Sequence, residues 1–287
     1  MGHSSVGRGR VRGPSPYPTR VARLARTVGA VAVVLVFLPP LVLLVSGSLH
    51  EPGLPPPPAP DLLPRPASTA GYVAALDIGG LGRATLNSLV VAVIAVPVSV
   101  LVAAWAGFAL TRLPRRTAVV VAAASLVALM VPATALLVPR FAVFRALGLT
   151  DTLVPLIAPA LLATSPLYVL VYYLAYRALP PDLYDTCRIC DLTPLQTWRR
   201  MAMPMVRPVT GALAALAFVL TWSNFLDPLA YVYDRELYTL PLALRSLSTL
   251  DPTNFPVFLA GAVIATLPAL VVFAVAQHRF LRETGWF

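Results

Sequence analysis

Residues 180–208 read PPDLYDTCRICDLTPLQTWRRMAMPMVRP, a polar, proline-bounded insert between two long apolar runs. Asp182 can cap a helix that begins after Pro180-Pro181, and Leu183, Cys187 and Cys190 then fall at i, i+4 and i+7 on one face. A second helix starts at Thr193-Pro194, a hydroxyl cap followed by proline at the first helical position, where its missing N–H costs nothing. Leu195, Trp198 and Met201 or Ala202 line the apolar side of that helix, Arg199 and Arg200 lie near its end, and Pro204 and Pro208 break it. The insert therefore reads as two short amphipathic helices lying across one mouth of a bundle. Mixed charge on the first helix suits a protein partner better than anionic headgroups.

Outward from the insert, composition sets the class. Hydrophobic residues make up 58% of the 287 and charged ones 12%, which a soluble domain could carry only by exposing large apolar patches. Crossing roughly 30 Å of hydrocarbon takes about 20 apolar residues. Six runs qualify, at residues 28–45, 86–110, 118–139, 154–176, 209–233 and 255–276. They are unbroken rather than alternating, which favours helices over a closed barrel. The expected fold is all-α, an integral membrane bundle of six transmembrane helices.

Arginine orients that bundle. All 22 basic residues are arginine, and with the N-terminus inside, 16 fall in inner segments and six in outer ones. Positively charged loops stay in the cytoplasm, so both termini are expected there. The net charge of +10 and the pI near 10.3 follow from this topology. Arginines scattered among loops rather than gathered on one face argue against a nucleic-acid partner. Residues 1–27 read as a disordered basic cytoplasmic arm, 28–280 as the six-span domain with the insert at 180–208, and 281–287 as a short tail. No small-residue cleavage site follows the first apolar run, which is read as a retained span. The outer loop over residues 50–83 contains EPGLPPPPAPDLLPRP, a stiff, extended spacer.

Catalytic and metal chemistry find little purchase. Cys187 and Cys190 have C-x-x-C spacing, but no second pair or nearby histidine completes a ligand set, so they read as small apolar residues and no metal is expected. His3, His50 and His278 lie far apart outside the spans, and no nucleophile–base pairing is visible. Without lysine a phosphate-binding G-x-x-x-x-G-K-[ST] loop is impossible, so energy must come from a partner or a gradient. A gradient-driven carrier needs ionisable residues deep in several spans, whereas Asp227 alone falls within one. Asp227, Ser223 and Asn224 are polar groups in an apolar run, and with Trp222 they offer hydrogen bonds and a stacking face to a solute.

Residues 185–208 resemble the EAA loop of ATP-binding-cassette importer permeases, whose pattern runs E-A-A, two residues, D-G-A, a spacer and L-P-x-x-x-P. Asp185 takes the glutamate, Thr186 and Cys187 the alanines, Cys190 the aspartate, Asp191 the glycine and Leu192 the next alanine. Met203-Pro204 and Pro208 match the closing prolines. Glycine at that turn permits a positive φ, which Asp tolerates less well. Trp222 to Leu229, WSNFLDPL, with Tyr238-Thr239-Leu240-Pro241-Leu242 following, is similar to the fifth span of carbohydrate-uptake permeases, where W-N-x-F-x-W-P-L is usual.

The resemblance implies a multi-pass permease of the bacterial cytoplasmic membrane, carrying a sugar or oligosaccharide delivered by an extracytoplasmic solute-binding protein. It also implies a second permease subunit, a different chain, and an ATPase dimer that binds the ATP, this chain itself holding no cofactor. The insert then becomes a cytoplasmic coupling-helix loop. Tyr184, Asp185, Thr186, Arg188, Asp191, Leu192 and Trp198 are the expected ATPase-docking residues, and Trp222, Ser223, Asn224 and Asp227 the expected substrate path. A non-sugar solute is the alternative within this class, and a secondary transporter the alternative outside it.

Overall fold

The computed structural model describes residues 20–53, 65–77, 79–162, 165–250 and 254–283, and every regular element among them is helical. Most of the basic arm, most of the proline run and the last residues of the tail lie outside the described residues.

Helix α1 (Arg20–Ser48) starts ahead of the expected run, carries Pro39 and Pro40, and packs on the last helix, α14 (Phe255–Glu283). Its Val36 and Phe37 are more than two-thirds exposed, a surface only lipid makes favourable. The loop read as a spacer contains a helix, α2 (Ala70–Asp77), which lies against α14. The Tyr72 and Ser48 hydroxyls meet at 2.7 Å and hold it to the end of α1.

Helix α3 (Leu81–Arg112) is the centre of the bundle. Its buried positions are mostly small, among them Ala84, Ser88, Ala92, Ala95, Ala103, Ala104 and Gly107. Small residues let neighbouring backbones approach where no hydrophobic drive separates helix from lipid. On them pack α6 (Val154–Leu162), α7 (Pro166–Arg177), α11 (Arg207–Trp222) and α13 (Leu240–Leu250).

Two expected spans are bent. The run at 118–139 is α4 (Arg115–Leu129), then an 86° change of direction into a 3-10 turn (Ala133–Leu136) and α5 (Leu137–Ala146). Pro132 lacks the N–H a continuing helix needs and pushes Val131 out of the helical region. The run at 209–233 ends as a helix at Trp222, and a short α12 (Leu226–Tyr231) follows. Pro228 cannot donate to the Asn224 carbonyl, and the Asn224 side chain instead accepts from the Asp227 N–H at 3.3 Å. Among the described residues four helical segments can cross a bilayer outright, and six if each of two bent pairs, Arg115–Leu129 with Ala133–Ala146 and Pro194–Met205 with Arg207–Trp222, is one span.

The insert comprises α8 (Pro181–Ile189), α9 (Pro194–Thr197), a π-turn (Trp198–Ala202) and α10 (Met203–Met205), from which α11 departs at 80°.

Candidate functional site

The insert is built by local chemistry. Pro180, not Asp182, occupies the N-cap of α8; Pro181 takes the first helical position and Asp182 lies in the first turn without making a cap bond. Helix α8 closes as a Schellman turn, with Leu192 N–H donating to the Cys187 carbonyl and Asp191 N–H to that of Arg188, each at 3.0 Å. Asp191 sits at φ 50°, the left-handed conformation glycine would occupy. Thr193 caps α9 in a reciprocal box: its hydroxyl accepts from Gln196 N–H at 3.3 Å and Gln196 Oε1 accepts from Thr193 N–H at 3.0 Å.

Two aromatic residues fasten the insert to the bundle. Tyr184 donates to the Tyr176 carbonyl at 2.9 Å, and the Trp198 indole donates to the Tyr176 hydroxyl at 3.1 Å. Burial pushes the Tyr184 phenol up, partly opposed by Arg112, so it remains a donor at neutral pH. The Arg112 guanidinium spans the rings of Phe108 and Tyr184, 4.8 and 5.4 Å from their centroids. The outward side carries Asp185, Thr186, Arg188, Ile189, Cys190, Asp191 and Leu195. Asp185 and Arg188 pair at 3.0 Å, both well exposed, so the pair adds little stability. Ile189 is 83% exposed.

A cavity of about 320 Å³ lies among α3, α5, α6, α11 and α12, beside the break after Trp222. Arg140 of α5 meets Asp227 of α12 there, 3.3 Å from Oδ1, and Asn224 donates to Oδ2 at 2.9 Å. The Arg140 guanidinium also lies 5.7 Å from the centroid of Tyr231. Ser165, Tyr168, Thr221 and Thr239 line the same cavity with side-chain hydroxyls that make no hydrogen bond among the described residues. Thr239 is 4% exposed and its hydroxyl is buried without a partner, an arrangement a solute hydroxyl or water would satisfy. Ser88 spends its oxygen on Leu240 N–H at 2.8 Å.

The family described as "Binding-protein-dependent transport system inner membrane component" matches residues 67–282. The chain belongs to this family. It is the permease component of a binding-protein-dependent importer, a multi-pass protein of the cytoplasmic membrane and a transport subunit rather than an enzyme. The arabinooligosaccharides transport system permease protein AraQ of Bacillus subtilis (strain 168) is 27% identical, over 91% of this chain and 93% of its own. The lactose transport system permease protein LacG of Rhizobium radiobacter is 27% identical over 68% and 71%, and the trehalose transport system permease protein SugB of Mycobacterium tuberculosis (strain CDC 1551 / Oshkosh) 28% over 69% and 73%. The crystal structure of a bacterial ABC transporter involved in the import of the acidic polysaccharide alginate superposes with a TM-score of 0.76 at 20% identity, over 93% of this chain and 100% of that one. That likeness bears on fold alone.

Within the permease, the residues expected to dock an ATPase divide. Asp185, Thr186, Arg188 and Asp191 face outward, Leu192 is half-buried in the Schellman turn, and Tyr184 and Trp198 turn in to the bundle. Cys187 is buried, but Cys190 is exposed because α8 stops one residue before it; Leu195, expected on an apolar inner side, is 55% exposed. Of the expected path residues, Asn224 and Asp227 line the cavity. Trp222 is buried elsewhere, donating to the Ala265 carbonyl at 2.9 Å and stacking on Phe218, while Ser223 donates to the Val219 carbonyl at 2.7 Å. Sequence reasoning missed Arg140, counted only as a loop charge. It also missed Tyr168, whose spacing carries no motif, and it read Thr239 only as part of the Tyr238–Leu242 stretch, without a place in the cavity.

Proposed function

We propose that this permease carries a sugar or oligosaccharide through the bundle, driven by ATP-hydrolysing partner chains that dock on the insert. The observation that carries the reading is the cavity beside the break after α11, where an Arg140–Asp227 pair balances its own charge and four hydroxyls lack partners among the described residues. Neutral polyols are recognised by many moderate hydrogen bonds rather than by net charge, and unpartnered buried donors reject a solute that cannot fill them. The sugar and oligosaccharide permeases among the relatives support the same solute class.

Docking is supported by the outward side of the insert. Ile189 and Leu195 are exposed apolar residues of the insert, and Asp185, Arg188 and Asp191 are exposed charges of the same segment, a mixture of apolar and charged surface that suits a protein partner. Tyr184 and Trp198 transmit the motion of a docked partner to α7 rather than touching it. The insert and both termini then face the cytoplasm, ATP is bound by the partners, and a second permease subunit completes the path with the external binding protein.

The test is uptake into proteoliposomes by the reconstituted complex. Thr239→Val and Thr221→Val should raise the KM for the transported sugar roughly tenfold each without loss of assembly. Ile189→Arg should abolish ATP-driven uptake and co-purification of the ATPase while leaving thermal stability unchanged. Sugar uptake unaffected by all three substitutions would sink the reading.

A further inference from the structure

A second, larger cavity, about 920 Å³, opens on the other side of α11, between it and α14. Its walls are apolar, chiefly Pro208, Ala212, Leu216 and Val219 on one side and Phe273 on the other. Gly211 belongs to the same lining, and a Cβ placed there would meet nothing within 4 Å, so the groove is open above it.

One end of this groove is cationic. Arg199, from the π-turn, and Arg207, the first residue of α11, line it and are exposed. Among the described residues no carboxylate lines the groove, and neither arginine has an ion pair or hydrogen-bonding partner. From Arg207 to Val219 the helix rises about 18 Å, close to one leaflet of a hydrocarbon core roughly 30 Å thick.

An apolar slot one leaflet deep, with two guanidinium groups at its mouth, matches an amphiphile with an anionic head. Guanidinium forks pair with phosphate oxygens in two parallel bonds, and basic pockets between membrane helices at the bilayer surface suit anionic headgroups. A second protein chain on this face would bury both cations without compensation unless it brought carboxylates to them.

We propose that this groove binds an anionic phospholipid, with an acyl chain along α11 and the phosphate met by Arg199 and Arg207. The two arginines stand on either side of the 80° corner at Val206 where the insert becomes a span. A bound phosphate bridges that corner and stiffens it.

The experiment is native mass spectrometry of the permease, purified with its accompanying subunits and equilibrated with equal amounts of phosphatidylglycerol and phosphatidylcholine. The wild type should retain phosphatidylglycerol with roughly tenfold preference. Arg199→Gln combined with Arg207→Gln should abolish that preference, whereas Arg115→Gln with Arg116→Gln, outside the groove, should keep it. Gly211→Leu fills the groove while raising helix propensity, and should lower retention of lipid with both arginines intact. Equal retention of the two lipids by the wild type, or an unchanged preference in the Arg199/Arg207 double variant, overturns the proposal. So does cross-linking of an Ala212→Cys variant to a second subunit, which would mean that protein covers this face.

Discussion

The indole N–H of Trp198 donates to the hydroxyl of the fully buried Tyr176 across 3.1 Å. The same indole meets Trp105 of α3 edge-on, ring centroids 5.5 Å apart, so one side chain joins the π-turn to both α7 and α3. Tyr176→Phe should cost about 2 kcal/mol, because it strands the Trp198 indole N–H and removes the hydroxyl's weaker bond to Met203 Sδ at 3.6 Å, and Trp198→Ala about 3 kcal/mol through lost packing. Thermal unfolding of the purified protein measures both. On the proposed docking, uptake per ATP hydrolysed should fall in Trp198→Ala, because a loosened insert would pass less motion to α7.

At Gly107 helix α3 packs tightly against α7. A Cβ there would lie 2.6 Å from Tyr172 Cβ, 2.9 Å from Tyr173 N and 2.9 Å from the Val169 carbonyl oxygen. Two of those contacts are backbone, so relief requires the helices to part. Gly107→Ala should destabilise by about 3 kcal/mol despite its better helix propensity, and Gly107→Leu should yield no folded protein. Size-exclusion profiles and melting temperatures decide the matter; a melting temperature for Gly107→Ala at or above that of the wild type would contradict the packing argument.

Asp151 latches the loop before α6 to the loop after α12. Its carboxylate accepts from Tyr233 N–H at 2.9 Å and Asp234 N–H at 2.8 Å, and its own N–H donates to the Tyr231 carbonyl at 2.7 Å. The two backbone donors, Asp234 more than Tyr233, hold its pKa below the ordinary value of 3.8. A folded-state pKa below the unfolded one gives stability that is present in full above the unfolded value and lost as pH falls through the folded value. The difference in melting temperature between wild type and Asp151→Ala should therefore be constant from pH 7 to about 5 and shrink below about 4. A difference that grew on acidification would reverse the sign and refute the latch.

Arg140 and Asp227 are 87 positions apart in the chain and join α5 to α12 at the cavity. A double-mutant cycle with Arg140→Gln and Asp227→Asn should return a stability coupling of about 1 kcal/mol. Each single variant leaves one charge uncompensated in the cavity, so transport of a neutral sugar should fall further in the singles than in the double. Uptake rates at saturating and limiting sugar, compared across the four proteins, test this.

Much of the architecture was legible because its causes are local. Pro180, Pro181, Thr193 and Pro194 start α8 and α9 through backbone hydrogen bonding and ring sterics that operate over four or five residues, whereas the break expected at Pro204 falls at Val206, with Pro204 inside α10 and Pro208 in the first turn of α11. Asp191 at φ 50° occupies the turn at which the family resemblance places a glycine. Errors arose where a helix was assumed to continue. With α8 ending at Ile189, Cys190 leaves the buried face, and with α11 ending at Trp222, the expected fifth span ends before Asn224 and Asp227.

Hydropathy runs, the distribution of arginine and the spacing of the insert were determined by the sequence itself, because bilayer thickness, charge retention and capping act on contiguous residues. Which side chains meet was decided only by the tertiary structure. Arg140 faces Asp227, Trp222 turns to Ala265 rather than to the cavity, and Tyr184 and Trp198 close on Tyr176. These contacts depend on the 86° bend near Pro132, the break at Ser223 and the rotation of each helix against α3. Those quantities are set by packing across the bundle, and no periodicity within a single run records them.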